Sequence, residues 1–268
     1  LTFRVTLPKT RYPHHEQRLA FYDQLLARLG GLPGVDSIGA AQGTPFSGWD
    51  VQAGISVEGR PAPPPGQEIV SLYQNVAPGY FRTMGVPLLR GRGLTPADND
   101  SDAPVVVVNE SFVRAVFGDG DPLGTRVKLG ELTSEDPCTT IVGVVRDYRH
   151  YRLPQPMGPA MYYPMHAWSS GTETMVLRTR LEDPASLLPA VRDVLRGLDR
   201  DVPAYRIETL EERVSRTLWR QRLQGQMLGV FAALALLLSL VGLYGVGGYT
   251  LAERPRVVGG RYGLSSKE

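Results

Sequence analysis

The sequence predicts an α+β protein in which a repeated β-α-β lobe carries an inserted α+β subdomain and is followed by a transmembrane helix. Three observations lead to this fold class. Strand–helix–strand patterns occur near both ends of residues 1–208, and a dissimilar set of strand and helix patterns separates them. Residues 223–252 then carry no formal charge at all.

The first β-α-β pattern opens the chain. Residues 1–7, "LTFRVTL", alternate apolar and polar side chains, which predicts a strand. Residues 14–32 predict a helix that Gly30 and Gly31 bring to an end, and residues 35–42 predict a second strand. The apolar side chains that share one face of this helix are Leu19, Tyr22, Leu25, Leu26 and Leu29. We assign residues 1–58 to the first half of the lobe.

The second β-α-β pattern lies before the charge-free stretch. Residues 174–181 predict a strand, and a helix over residues 183–198 follows, with Asp183 as its N-cap and Pro184 at its first position. A further strand pattern runs to residue 210. Both units share the order strand, helix, proline, strand, which indicates an internal repeat. We assign residues 166–208 to the second half of the lobe.

Residues 59–165 form the predicted insert. A proline-rich junction at residues 59–67 predicts a stiff, extended entry. The proline-punctuated segment at residues 156–165 predicts a strand at the edge of a sheet. The remaining predicted elements are strands at residues 68–76, 105–109 and 139–148 and short helices at residues 78–85 and 110–118.

The end of the chain predicts a connection to a membrane. Residues 209–222 predict an amphipathic connecting helix, for which Thr209 and Glu212 have the spacing of a capping box. A bilayer core of about 30 Å needs about 20 apolar residues, so residues 223–252 are long enough to span it. The alternative is a central helix of a large soluble core. Arginines on both sides of the stretch leave the orientation open.

Composition and motifs exclude several classes of function. The formal net charge of +2 gives no basic surface for nucleic acid, and the single cysteine, Cys138, permits neither an internal disulfide nor a cysteine zinc site. The chain has no phosphate-binding loop and no nucleophile elbow. His14, His15, His150 and His166 have no metal-binding spacing. We therefore expect no catalytic, cofactor-binding or metal-binding residues, and a protein that is not an enzyme.

Five segments in order resemble a known family. They are "LTFRVTLP", "APGYFRTMGVPLLRGRGLTPAD", "PVVVVNESFVRAVFG", "IVGVVRDYRH" and "MLGVFAALALLLSLVGLYGVGGYTLAER". The chain resembles the permeases of macrolide-exporter-type ABC transporters, most of all the duplicated orphan permeases of bacteria. The resemblance covers the periplasmic core domain and the first part of an FtsX-like permease domain.

The resemblance implies a porter-like lobe, residues 1–222 on the periplasmic or extracytoplasmic side of the bacterial inner membrane, and residues 253–268 as a cytoplasmic tail. In this family the tail contacts a cytoplasmic ABC-type ATPase, which implies that role for Arg254, Arg256 and Arg261. Val257, Gly260 and Ser265 depart from the family pattern. Further implied partners are the lipid bilayer and a second permease half, as a dimer or pseudo-dimer.

Two functions of different classes follow from these features. The first is a transport component in which a transmembrane helix couples the large periplasmic domain to a separate ATPase. The alternative is a membrane-anchored extracytoplasmic module that binds or senses without ATPase coupling.

Overall fold

The computed structural model describes residues 1–213, 215, 227–229 and 231–239, apart from residues 46, 48, 50, 62, 65, 100–102, 132–136, 149–156 and 168–170. It divides into two compact units, Leu1–Val214 and Ser215–Glu268. The elements of the first unit in chain order are β1 (Thr2–Thr6), α1 (His15–Gly30), β2 (Val35–Ala41), β3 (Gln52–Val57), β4 (Val70–Val76), α2 (Tyr80–Met84), β5 (Leu88–Gly91), β6 (Val105–Asn109), α3 (Glu110–Val116), β7 (Arg126–Leu129), β8 (Thr139–Val145), β9 (Ala160–Pro164), β10 (Thr172–Thr179), α4 (Leu188–Leu198) and β11 (Ala204–Glu208).

The two β-α-β units interlock in one sheet. Their strands lie in the order β11–β1–β10–β2. Strand β10 lies between β1 and β2 and is antiparallel to both. Strand β1 in turn lies between β10 and β11. Each β-α-β unit therefore has a strand of the other unit between its own two strands. This is the split β-α-β arrangement of ferredoxin-like sheets. The predicted mixed α+β class is thereby confirmed.

Helices α1 and α4 supply one apolar core of the lobe. The predicted face of α1 is buried at Leu19, Tyr22, Leu25 and Leu29, and Leu26 packs against the same cluster. Asp183 caps the segment before α4, because its side chain accepts a hydrogen bond from the amide of Ala185. Pro184 then begins a 3₁₀ turn, Pro184–Leu187, that leads into α4.

The central strands close on themselves. The pairs β4–β3, β3–β7, β7–β8, β8–β6 and β6–β9 form a chain of six strands, and β9 pairs with β4 in parallel to complete a ring. Closure removes the exposed edges that an open sheet would present. Helix α3 contributes Phe112, Val113 and Val116 to the apolar core that the ring strands share.

The prediction that residues 156–165 form an edge strand was wrong. Strand β9 is fully buried and pairs on both sides, with β4 and with β6. Its flanking prolines do not prevent this. Pro164 is the last residue of the strand, and the carbonyl of Pro159 accepts a hydrogen bond from Leu72 at 2.9 Å.

Helix α2 packs closely on the lobe, and glycines permit it. A Cβ atom at Gly39 in β2 would lie 2.7 Å from the Cα atom of Tyr80. Gly79 and Gly85 flank α2 with φ angles of 83° and 72°, a region that side chains with a Cβ rarely adopt. The contact places Tyr80 in a second core beside Ala41 and Val176.

The described residues of the second unit, which are residues 215, 227–229 and 231–239, are all helical. Their large apolar side chains are exposed, among them Leu228, Leu236 and Leu238. None of the helices in the described part of the chain has the length and apolar character required to cross a bilayer. The rest of the predicted span over residues 223–252, most of the connecting helix over residues 209–222 and the whole tail at residues 253–268 lie outside the described residues.

Candidate functional site

The first turn of helix after β11 is fixed by a capping box. The Thr209 amide donates to Glu212 Oε2 at 2.7 Å, and the Glu212 amide donates to Thr209 Oγ1 at 3.1 Å. Two amides that begin the helix without intrahelical partners are therefore satisfied. The structure confirms the capping box that the sequence predicted at these positions.

Arg213 ties this turn to the lobe. Its Nε donates to Glu208 Oε1 at 2.8 Å, at the end of β11. Its Nη2 donates to Thr2 Oγ1 on β1 at 3.3 Å, and its Nη1 donates to Thr44 Oγ1, which follows β2. Thr2 Oγ1 in turn donates to the Glu208 carbonyl at 2.9 Å. We call Thr2, Thr44, Glu208 and Arg213 the helix clamp.

The clamp is a buried ionic network. Arg213 and Thr44 are 7% and 1% exposed, and Thr2 is fully buried. A buried guanidinium is stable only when its charge is matched and its N–H groups are bonded, and the clamp provides both. The N–H groups of the planar Arg213 guanidinium donate hydrogen bonds to three separate segments of the chain. The start of the helix is thus held against the outer strand, the neighbouring strand and the segment after β2.

Residues of the family-like segments and the histidines include some with structural contacts. In "IVGVVRDYRH", Asp147 accepts hydrogen bonds from Ser111 and Arg114, and Tyr148 stacks on Tyr162 with ring centroids 5.9 Å apart. His166 Nε2 lies 3.1 Å from Asp23 Oδ2. Within the described ranges, acidic residues, histidines and cysteine form no group of three that could hold a metal ion.

The structure does not describe the residues that the sequence predicted to contact an ATPase. Arg254, Arg256 and Arg261 all lie outside the described residues. Conversely, no pattern in the sequence indicated the clamp beyond the capping box. Thr2 and Thr44 are distant from Arg213 along the chain, so only the folded sheet brings these side chains together.

Two solved structures are similar to this chain. The crystal structure of the periplasmic region of MacB from Actinobacillus actinomycetemcomitans matches with a TM-score of 0.50 and 17% identity, over 81% of this chain and 92% of that one. The extracellular domain of the noncanonic ABC-type transporter YknZ from Gram-positive bacteria matches with a TM-score of 0.46 and 16% identity, over 75% of this chain and 94% of that one.

The split lobe with its ring of strands is a mixed α+β fold similar to that of the MacB periplasmic region. The sequence profile described as the MacB-like periplasmic core domain matches residues 5–196. The chain belongs to that family.

A relative is also similar in sequence. The macrolide export ATP-binding/permease protein MacB of Aggregatibacter actinomycetemcomitans is 23% identical over an alignment of 198 residues that covers 70% of this chain. The match spans only 29% of that relative's length.

Proposed function

We propose that this chain is the part of an ABC-type transporter permease that relays movement between a periplasmic domain and a membrane helix. On this proposal the chain itself carries out no reaction. ATP is bound and hydrolysed by a cytoplasmic subunit or domain, and residues 1–222 respond on the periplasmic side. Family membership supports the periplasmic placement, and the helix clamp is the observation that supports the relay.

To relay movement, the connection between the helix and the domain must be rigid. A helix attached to a domain through one flexible linker would move without moving the domain. Here Arg213 lies in the first turn of the helix and bonds to the outer strand, to β1 and to the segment after β2. Displacement of this turn must therefore shift the sheet or break a buried ion pair, and breaking such a pair costs about 3 kcal/mol or more.

The remainder of the relay is proposed from the sequence. Residues 223–252 would span the bilayer, because the stretch is uncharged and long enough. Arg254, Arg256 and Arg261 would face carboxylates of the ATPase on the cytoplasmic side. A second permease half would complete the transporter as a dimer or pseudo-dimer.

The clamp is tested in the intact transporter, reconstituted in lipid nanodiscs with its ATPase. Arg213→Met should reduce transport-coupled ATP hydrolysis several-fold while basal hydrolysis and membrane insertion stay unchanged. The matched control is Arg196→Met, since Arg196 pairs with Asp193 on the exposed side of α4. Coupled hydrolysis that is equal in wild type, Arg213→Met and the control would reject the relay.

The alternative, a membrane-anchored binding or sensing module, makes the opposite prediction. In that case no ATPase copurifies with the intact protein, and substitutions in the clamp change stability without changing ATP hydrolysis.

A further inference from the structure

The backbone pairing between the lobe and the strand ring is short within the described residues. Strand β2 of the lobe and strand β4 of the ring pair through Ala41 and Val76. Beside this pair, the Ala77 amide donates to the Ala40 carbonyl at 2.8 Å. By contrast, β10 and β2 within the lobe pair over the whole length of β2. Side-chain packing must therefore hold much of the boundary between the lobe and the ring.

A shared apolar core fills this boundary. Ala41 and Val176 of the lobe belong to it, and so do Val107 and Tyr162 of the strand ring. Helix α2 adds Tyr80, which is fully buried in the same core. The short helix α2 therefore lies where the packing of the lobe meets the packing of the ring.

Two consecutive side chains of α2 contact the two parts. Tyr80 packs so closely on β2 that a Cβ atom at Gly39 would lie 2.7 Å from its Cα atom. The aromatic ring of Phe81 meets that of Tyr162 on β9 edge to face, with centroids 5.0 Å apart and an interplanar angle of 88°. The Tyr80 and Phe81 rings are themselves 5.7 Å apart. Contacts of this geometry are favourable beyond the area that they bury. They connect β2 to β9 through α2 without interruption.

The helix clamp lies beside the shared core. Thr2 of the clamp is the partner of Val176 in the pairing of β1 with β10, and Val176 packs in the core with Tyr80. Arg213 is also close to Tyr80. Burial raises the pKa of Tyr80, and the positive charge of Arg213 partly opposes this effect. A displacement of the clamp therefore acts directly on the residues that surround α2.

We infer that α2 couples the helix clamp to the strand ring, with Tyr80 and Phe81 as the positioning residues that transmit a displacement of the lobe to β9. Close-packed protein interiors have low compressibility, so they transmit strain between side chains in contact. The inference deepens the proposed relay and rests on it for its functional meaning. The coupling itself is a property of the folded domain, so it can be measured without ATP hydrolysis.

The test is hydrogen exchange of the full chain in detergent micelles, measured by mass spectrometry. Arg213→Met perturbs the clamp, and the readout is the resulting change in the exchange rate of β9. In the wild-type background this exchange should become at least about fivefold faster. Phe81→Leu retains an apolar side chain but removes the aromatic contact with Tyr162. In that background Arg213→Met should change the exchange of β9 less than about twofold.

Two control variants separate coupling from a general loss of stability. Phe21→Leu removes an edge-to-face contact of similar geometry, with Tyr12 at 5.5 Å, that lies wholly within the lobe. The response of β9 to Arg213→Met should then remain as in wild type. Phe81→Tyr keeps the aromatic ring and should preserve the response as well. If Arg213→Met does not fold, Thr44→Val is a milder change in the clamp, since it removes one acceptor of Arg213.

Equal responses of β9 in the Phe81→Leu and Phe21→Leu backgrounds would overturn the inference. The same holds if β9 does not respond to perturbation of the clamp in the wild-type background. The proposed relay fails separately. If β9 responds as expected but Arg213→Met leaves coupled ATP hydrolysis unchanged, the relay is rejected and the coupling through α2 stands.

Discussion

Arg213 Nε lies 2.8 Å from Glu208 Oε1, and the two side chains are only 8% and 13% exposed. The pair joins the last residue of β11 to the first turn of the next helix across five positions of sequence. The same guanidinium reaches Thr2 and Thr44. The beginning of the helix is therefore attached to the lobe by side chains as well as by the backbone.

Removal of one partner of this pair should destabilise the domain. Arg213→Met leaves the Glu208 carboxylate buried beside Thr2 without its cation, and we expect a loss of about 3 kcal/mol in the free energy of unfolding. Glu208→Gln should cost less, because an amide oxygen still accepts a hydrogen bond. Urea unfolding of the full chain in detergent, followed by circular dichroism, measures both values.

A double-mutant cycle separates the pair from the rest of the clamp. The double variant should be less destabilised than the sum of the two single variants, by about 1–3 kcal/mol. The exposed pair Asp193 and Arg196, with side chains 74% and 68% exposed, serves as control and should give less than about 1 kcal/mol. Additive effects at Glu208 and Arg213 would show that the clamp is not an energetic unit.

Asn109 should be among the most sensitive polar residues of the ring. Its Oδ1 accepts from the amides of Phe112 at 3.0 Å and Ala160 at 2.8 Å, and its Nδ2 donates to the Gly158 carbonyl at 2.9 Å. The residue is fully buried, so Asn109→Ala leaves these groups without a partner, at about 1–3 kcal/mol for each. We expect a total loss of about 3 kcal/mol or more in the same unfolding assay.

The control for Asn109→Ala is a substitution of an N-cap residue at the surface. Asp183 accepts from the Ala185 amide at 2.9 Å, in an exposed position. Asp183→Ala should cost only about 1 kcal/mol, because water can replace the lost acceptor. An equal loss in Asn109→Ala and Asp183→Ala would mean that the bonds between α3 and β9 contribute little to stability.

Glu173 should make the stability of the lobe depend on pH. It lies on β10 opposite Val5, is fully buried, and its carboxylate oxygens have no hydrogen-bonding partner among the described residues. Burial raises its pKa to about 8, which the nearby charge of Arg4 only partly opposes. The folded state therefore binds more protons than the unfolded state between about pH 4.5 and pH 8.

The sign of the effect follows from this proton count. As the pH rises through that window, the free energy of unfolding should fall by about 1.4 kcal/mol per pH unit, which amounts to about 5 kcal/mol in total. Glu173→Gln should flatten the dependence, and Glu16→Gln, at an exposed position of α1, should not. Thermal unfolding of the full chain from pH 5 to pH 8.5 measures the slope. An equally steep fall in Glu173→Gln would assign the dependence to other groups.

Local patterns in the sequence predicted local structure well. The apolar spacing of α1, the Asp183 cap and the Thr209 capping box each depend on residues a few positions apart. Short-range spacing is enough to specify them, because helices and caps are closed by bonds between near neighbours.

Long-range pairing could not be predicted in the same way. Strands β3 and β7 were not predicted, and β9 was placed at an edge, although all three pair on both sides in the ring. Burial of β9 depends on β4 and β6, which are far away in the sequence. The clamp also depends on long-range strand pairing, because Arg213 contacts Thr2 and Thr44 only once the sheet has formed.

The charge-free stretch at residues 223–252 should hold the chain in a membrane. The double variant Leu234→Lys and Leu237→Lys should release it, because each lysine at the centre of a span costs about 2.5–3.5 kcal/mol. The measurement is extraction of membranes with alkaline carbonate, followed by detection of the chain in pellet and supernatant. Residues 1–222 expressed alone should remain in the aqueous phase.

The matched control places lysines on exposed apolar residues of the first unit. Val70→Lys and Leu181→Lys together change the charge equally, at side chains that are 47% and 43% exposed. This variant should stay in the membrane pellet. If the unaltered chain itself partitions to the aqueous phase without detergent, residues 223–252 do not form a span.

Arg256 and Arg261 should connect the permease to its ATPase. The resemblance to transporter permeases implies a cytoplasmic tail, and three arginines within residues 254–261 could pair there with carboxylates of another protein. Pro255 fits the first turn of a new helix and would break a continuing one, so we expect the membrane helix to end near Glu253. Charge reversal by Arg256→Glu and Arg261→Glu in the intact transporter should abolish transport-coupled ATP hydrolysis.

Membrane insertion should survive this double reversal, because the uncharged stretch itself is unaltered. Lys267→Glu is the control, since it reverses a charge in the same tail outside the matched arginines. Copurification of the ATPase with each variant shows whether lost coupling reflects lost binding. If the double reversal leaves both copurification and coupled hydrolysis at the level of Lys267→Glu, these arginines serve only to anchor the helix end at the lipid headgroups.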